Sequence, residues 1–145
     1  MQRIPVQDEP DLAKKLRIFV SYTWTESAVA RQLVNELTAA GVEFWIDYRG
    51  IHSGDSMVDK IGCALEWCNV LLLIWSNAAS SSRWVKLEWE NAITLGKKII
   101  PCRLDGTLLP TMLASTAYID FRDITQGINE LLQDLGLNQN GQQNL

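Results

Sequence analysis

The chain is predicted to be an α/β protein in which a parallel β-sheet is flanked by helices. Short apolar runs, rich in β-branched and aromatic residues, alternate with segments of helical periodicity along most of the 145 residues. This order is typical of βαβ units. The run 69–75 (NVLLLIW) is almost purely apolar, as expected for a strand that is covered on both faces. The length suits one domain.

Each element is predicted from one of these two patterns. Strands are predicted at 16–20, 42–46, 69–75, 98–102 and 117–121. Helices are predicted at 26–40, 55–67, 82–95 and 124–135. The apolar faces of the first two helices are formed by Val29, Leu33, Leu37 and Ala40, and by Val58, Ile61 and Leu65. Ligands of such folds bind beyond the carboxyl ends of the strands, which points to the segments 21–25, 47–55, 76–84 and 103–110.

The two ends of the chain differ in composition from its middle. Residues 1–15 are polar and charged with two prolines, and are predicted to be a leader or linker. Residues 138–145 are rich in Gln, Asn and Gly, and are predicted to be a polar tail or linker. The folded domain is therefore expected to span 16–137, and a fused or associated sensor domain would attach at one of the ends.

Composition argues against several classes of protein. With 13 basic and 17 acidic residues the net charge is −4, which disfavours direct nucleic-acid binding. No apolar run of membrane-spanning length occurs and the start lacks a signal peptide, so we expect a cytoplasmic protein without a membrane partner. The odd set Cys63, Cys68 and Cys102 contains no CxxC pair, and predicts buried thiols rather than disulfides or zinc ligands. With His52 as the single histidine, neither a metal site nor a histidine-based triad is expected.

One carboxylate lies on the wrong side of its predicted helix. At the helical period, Glu88 falls roughly 40° from Trp84 and inside the apolar arc, whereas Glu90 lies on the polar side. A buried ionisable group is costly unless it is paired or takes part in chemistry. Two interpretations stand at this point: Glu88 caps a loop or pairs with a cation such as Arg103, or it lies at the edge of a cleft next to the Trp84 indole.

Further candidates follow the first two predicted strands. Tyr22 and Trp24 lie in a hydroxyl-rich segment after the first strand, and either could be a packing aromatic. The polar loop after the second strand contains Asp47, a second and weaker carboxylate candidate, and Gly54, which could simply permit a turn. The candidates converge because the carboxyl ends of parallel strands meet at one edge of the sheet.

Five short motifs, in this order, resemble those of Toll/interleukin-1 receptor (TIR) domains. They run from about residue 16 to about residue 136, nearly the whole chain. The motifs are RIFVSY at 17–22, FWID at 44–47 with IHSGDS at 51–56, LLLIWS at 71–76, SRWVKLE at 82–88 and KIIP at 98–101.

The resemblance implies a flavodoxin-like three-layer fold with a central five-stranded parallel sheet. It also implies NAD⁺ nucleosidase activity, in which NAD⁺ is the substrate and no cofactor is needed. Glu88 matches the catalytic glutamate and Trp84 an aromatic that stacks near the nicotinamide. Tyr22 and the position of Trp24 match residues that line the nucleotide. Gly54 matches a glycine of the family's BB loop, next to the substrate. The chain departs from some active relatives, which have a basic residue at Trp24 and an acidic one at His52.

Three functions are compatible with this resemblance. The first is an NAD⁺-cleaving enzyme of immune or antiphage defence, which releases ADP-ribose or a cyclic isomer and is activated by self-assembly of TIR domains through the BB loop. The second is a non-catalytic adaptor that acts through contacts between TIR domains, a function that the largely polar loop 47–55 disfavours. The third is an enzyme similar to nucleoside deoxyribosyltransferases, which would act on free nucleosides.

Overall fold

The computed structural model describes residues 15–46 and 53–137. The predicted leader and tail, together with Asp47 and His52, lie outside the described residues. The strands are β1 (Arg17–Ser21), β2 (Glu43–Trp45), β3 (Val70–Trp75), β4 (Lys98–Arg103) and β5 (Ile119–Asp120). The helices are α1 (Ser27–Ala39), α2 (Met57–Trp67), α3 (Asn77–Ser80), α4 (Arg83–Thr94) and α5 (Ile124–Asp134). Short 3₁₀ turns occur at Trp24–Glu26 and Thr111–Leu113.

The sheet has five parallel strands in the order β2-β1-β3-β4-β5. This is the flavodoxin-like order, in which the direction of winding reverses between β1 and β3. The prediction of a five-stranded parallel α/β fold is confirmed. In folds of this order, ligands generally bind beyond the carboxyl ends of the strands at the point of reversal.

Helices cover both faces of the sheet and form two cores. Strand β1 shows why, since its side chains alternate between the faces. Ile18 and Val20 join one cluster with residues of α1 and α5, whereas Phe19 joins the other cluster with residues of α2 and α4. The central strand β3 is buried at every position, as its apolar run predicts. The result is a three-layer arrangement with α2 and α4 on one face and α1 and α5 on the other.

The predicted helix faces need two corrections. Val58 is 59% exposed, because burial along α2 begins one turn later, at Ile61. Ala40 lies beyond the last residue of α1, where Gly41 turns the chain at a φ of 77°, and the buried face of α1 instead includes Ala30. Strand β5 is also shorter than the predicted 117–121, since it pairs with β4 at only two positions.

Candidate active site

The candidate site lies at the carboxyl end of β1, next to the point of reversal in the sheet. Ser21 is the last residue of β1, is 1% exposed and pairs with Leu73 of β3. Helix α4 approaches this point after the Ser82 side chain caps its start by accepting from the Val85 amide at 3.1 Å. Val85 and Trp89 of α4 then pack into the core, so the helix face that they share with Glu88 is turned toward the sheet.

Glu88 is buried, as its position in the apolar arc predicts. It is 2% exposed, and its Oε1 accepts a hydrogen bond from the Ser21 hydroxyl at 2.6 Å. The sequence suggested Arg103 as a partner, but that guanidinium lies 4.6 Å from the centre of the Tyr118 ring and donates from Nη2 to the Thr107 carbonyl at 2.8 Å. The Ser21 hydroxyl at the end of β1 is thus one partner of the Glu88 carboxyl group.

The Trp84 indole is more exposed than its position in the apolar arc suggested. It is 42% exposed, while Trp89 on the same helix is 6% exposed. Trp84 lies in the first turn of α4, four residues before Glu88, so the two side chains belong to neighbouring turns of one helix face. An exposed indole one turn from a buried carboxylate offers a flat surface on which a planar ligand can stack.

The other candidate residues that the structure describes, Tyr22, Trp24 and Gly54, lie in three different environments. Tyr22 is half-buried and packs against the cluster on the α1 and α5 side, because it follows Ser21 and the strand alternates. Trp24 is 85% exposed in the 3₁₀ turn after β1. Gly54 has a φ of 92° and open space around the position that a Cβ would take. The positive φ explains the glycine without a ligand, since other residues rarely adopt that conformation.

Ser21, a hydrogen-bond partner of Glu88, is not among the candidate residues predicted from the sequence. The sequence places a hydroxyl-rich segment after β1, but it does not say which hydroxyl faces α4. The alternation of β1 contains that signal, because Phe19 and Ser21 share a face of the sheet. The same rule turns Val20 and Tyr22 to the opposite face, where both pack.

A separate cleft of about 220 Å³ lies at the carboxyl ends of β4 and β5. Its lining residues are Arg103, Asp105, Gly106, Tyr118, Asp120 and Arg122. The Arg122 guanidinium donates to Asp120 at 2.9 Å and, by this hydrogen bond, lowers the pKa of Asp120 to about 2. Hydrogen bonds from Thr107 and from the Asn77 amide lower the pKa of Asp105. The charged groups of this cleft are largely engaged with each other or with the backbone.

No helix within 15–46 and 53–137 is both long and apolar enough to cross a membrane. Over these same residues no group of three or more His, Cys, Asp or Glu side chains comes together as metal ligands do. The cysteines differ from the prediction, because Cys63 is exposed on α2 while Cys68 and Cys102 are buried.

The strand order and the covering helices place the chain among flavodoxin-like α/β domains, with the buried carboxyl group of Glu88 at the carboxyl end of β1. The model of the TIR domain family matches residues 18–132. The chain therefore belongs to the TIR domain family, as its motifs predicted.

Three known proteins illustrate the similarity. A probable 2′ cyclic ADP-D-ribose synthase from Brachypodium distachyon is 28% identical over 128 residues, which make up 81% of this chain and 57% of that protein. The TIR domain of the Toll-related receptor TRR-2 from Hydra magnipapillata superposes with a TM-score of 0.71 at 20% identity, covering 82% of this chain and 97% of that one. The TIR domains of the activated Roq1 resistosome, which recognises the pathogen effector XopQ, superpose with a TM-score of 0.65 at 17% identity, covering 83% and 99%.

Proposed function

We propose that this TIR domain cleaves the bond between nicotinamide and ribose in NAD⁺, with Glu88 as the catalytic carboxylate. One observation carries the proposal: Glu88 is 2% exposed at the carboxyl end of β1, next to the point of reversal, and accepts a hydrogen bond from Ser21 at 2.6 Å. Burying a carboxyl group is unfavourable unless it is paired or takes part in chemistry, so a buried carboxyl group beyond the end of a parallel strand is a candidate for a functional site. The similarity to a probable 2′ cyclic ADP-D-ribose synthase of Brachypodium distachyon supports the same chemistry.

The chemistry assigned to Glu88 is stabilisation of positive charge. When the glycosidic C–N bond breaks, its electron pair leaves with nicotinamide, which becomes neutral, and the ribose acquires oxocarbenium character. A carboxylate next to the ribose stabilises that charge or binds the ribose hydroxyls, as in glycoside hydrolysis. Capture by water, with loss of a proton to solvent, gives ADP-ribose. Capture by a nucleophile of the same molecule gives a cyclic isomer.

The substrate contacts are part of the same proposal. Trp84, one turn from Glu88, stacks on the nicotinamide ring through its exposed face. By the resemblance to the family, Trp24, Tyr22 and Gly54 would line the rest of the nucleotide, and Asp47, which lies outside the described residues, is a further candidate. Trp24 has the exposure that such a contact needs, whereas the ring of Tyr22 packs toward the other face of the sheet and contributes less.

The decisive experiment compares wild-type protein with Glu88→Gln, which keeps the shape of the side chain and removes its charge. Concentrated protein is incubated with NAD⁺ and all products are separated by chromatography. We expect nicotinamide release that falls at least roughly 100-fold in the variant, because loss of one preorganised electrostatic group costs that much. Glu90→Gln is the matched control, since Glu90 is exposed on the same helix. Equal rates for the two variants would contradict the role of Glu88.

The biological role that we propose is immune signalling in the cytoplasm, activated when TIR domains of several chains assemble through loop 47–55. The similarity to TIR domains of an assembled resistosome motivates this. Specific activity should then rise with protein concentration or with artificial clustering through a fused oligomer. A specific activity that stays constant over a wide concentration range, without higher-order species, would contradict activation by assembly.

A second candidate, a non-catalytic adaptor, is favoured by the 85% exposure of Trp24. Large exposed aromatics are enriched where proteins meet. The adaptor predicts that no nicotinamide is released even from clustered protein, while Trp24→Ala weakens self-association. A reaction with free nucleosides but not NAD⁺, measured in the same assay, would instead indicate the transferase-like function.

A further inference from the structure

We propose that Ser21 is the positioning residue of the site: its hydroxyl fixes the carboxylate of Glu88 in the orientation that the reaction needs. The inference rests on the proposed function of Glu88. The two side chains are 1% and 2% exposed, and their oxygens are 2.6 Å apart. A separation of about 2.5–2.7 Å is typical of a hydroxyl that donates to a carboxylate, which is among the stronger hydrogen bonds in proteins.

The backbone at Ser21 is fixed by the sheet, so its hydroxyl can fix the position of the Glu88 carboxyl group. Strand β1 lies inside the sheet, paired with β2 on one side and β3 on the other. Ser21 itself is in register with Leu73 of the fully buried strand β3. A serine side chain has one carbon between the backbone and its oxygen, so a rigid strand gives a rigid hydroxyl.

Glu88 needs such support because its carboxylate is far from its own backbone. Helix α4 fixes the Cα of Glu88 through the packing of Val85 and Trp89, but a glutamate side chain keeps three rotatable bonds. Immobilising these bonds has an entropic cost, and misplacement of a catalytic group by about 1 Å lowers a rate by roughly 100-fold. The Ser21 hydroxyl is a second anchor at the far end of the side chain.

A second buried serine at the same edge shows that burial alone does not imply this role. Ser76 follows β3 and is 2% exposed. Its hydroxyl accepts from the Ala79 amide at 3.1 Å and caps α3. Ser76 and Ser21 thus have similar burial and similar chemistry but different partners, a helix end in one case and a carboxylate in the other. Ser76→Ala is therefore the matched control for Ser21→Ala.

The test measures kcat and KM for NAD⁺, together with unfolding by urea, for wild type, Ser21→Ala, Ser21→Thr and Ser76→Ala. We expect Ser21→Ala to lower kcat roughly 10- to 100-fold with KM changed less than about threefold, because misplacement affects the reaction more than binding. Ser21→Thr keeps the hydroxyl and should recover most of the loss. Ser76→Ala should stay within about twofold of wild type in kcat although it also loses stability. In a Glu88→Gln background, Ser21→Ala should cause no further loss.

The outcomes separate this inference from the proposed function. If wild type releases nicotinamide and Glu88→Gln does not, but Ser21→Ala and Ser76→Ala have equal kcat, the positioning role is refuted and the proposed function stands. If wild type releases no nicotinamide even when it is clustered through a fused oligomer, the proposed function is refuted and the positioning role is refuted with it. Should Ser21→Ala fail to fold, Ser21→Cys replaces it as a weaker donor of similar size. A kcat between wild type and Glu88→Gln then supports the role, and a kcat equal to wild type overturns it.

Discussion

Two helical glycines of this domain have opposite surroundings, and the same substitution should therefore have opposite effects. Gly127 is buried in α5, and a Cβ placed there would lie 2.6 Å from the Cδ1 of Phe121 and 2.8 Å from the carbonyl oxygen of Asp120. Ordinary contacts of a Cβ begin at 3.4 Å. The Phe121 ring has no exposed fraction and the carbonyl belongs to the backbone, so neither neighbour can move away easily. Gly62 in α2 has open space at the same position.

The expected magnitude comes from the difference between Gly127→Ala and Gly62→Ala. Both replace glycine by alanine within a helix, which alone stabilises by about 1 kcal/mol. That term cancels in the comparison and leaves the overpacking at Gly127, about 1–3 kcal/mol. Gly62→Ala should therefore be slightly more stable than wild type, and Gly127→Ala neutral to about 2 kcal/mol less stable. For a domain of this size each kcal/mol corresponds to roughly 2–5 °C in Tm.

The assay is urea unfolding of both variants, followed by tryptophan fluorescence and by circular dichroism. Coincident transitions would justify a two-state treatment. If Gly127→Ala proves as stable as Gly62→Ala, the close approach of α5 to β5 does not exist as described, and the reasoning from the Cβ distances is wrong.

Two further predictions concern titratable groups. Cys63 is exposed whereas Cys68 and Cys102 are buried, and desolvation raises the pKa of both buried thiols. An aromatic disulfide reagent should therefore label one thiol in native protein and all three in denaturant. More than one labelled thiol in native protein would contradict this. The pKa of Asp120 is lowered to about 2 by Arg122, so carboxyl NMR should give a midpoint near pH 2 that rises toward 3.8 in Arg122→Ala. Because the pKa of Asp120 is lower in the folded state than in the unfolded state, the small contribution of this exposed pair to stability is present above about pH 4 and is lost as pH falls toward 2. A titration midpoint that is unchanged in Arg122→Ala would exclude Arg122 as the cause of the lowered pKa.

Most of the fold follows from patterns that are local in sequence. The apolar run at 69–75 predicted a strand buried on both faces, and every residue of β3 is buried. The helical period predicted that Glu88 faces the core, and it does. The order of strands and helices predicted a parallel sheet, since parallel strands need crossover connections.

The parts that could not be predicted depend on depth and on distant partners. A helical wheel shows that Trp84 points to the apolar side of its helix, but it does not show how far the first turn of that helix is covered by the sheet. The indole is 42% exposed in the folded domain. The same limit explains Val58 and Cys63, which were expected to be buried. The hydrogen bond from Ser21 to Glu88 could not be predicted either, because the two residues lie 67 positions apart in the chain and only the assembled sheet brings them together.

That long separation ties the site to the completeness of the fold. Strand β1 is captured between β2 and β3, and α4 follows β3 in the chain, so a growing polypeptide contains no Ser21–Glu88 pair until residue 88 has been synthesised and the first three strands have joined. Partial unfolding that detaches either β1 or α4 removes the pair again. The hydrogen bond between Ser21 and Glu88 can therefore serve as a marker of integrity, since it exists only in chains whose amino-terminal and central segments are both in place.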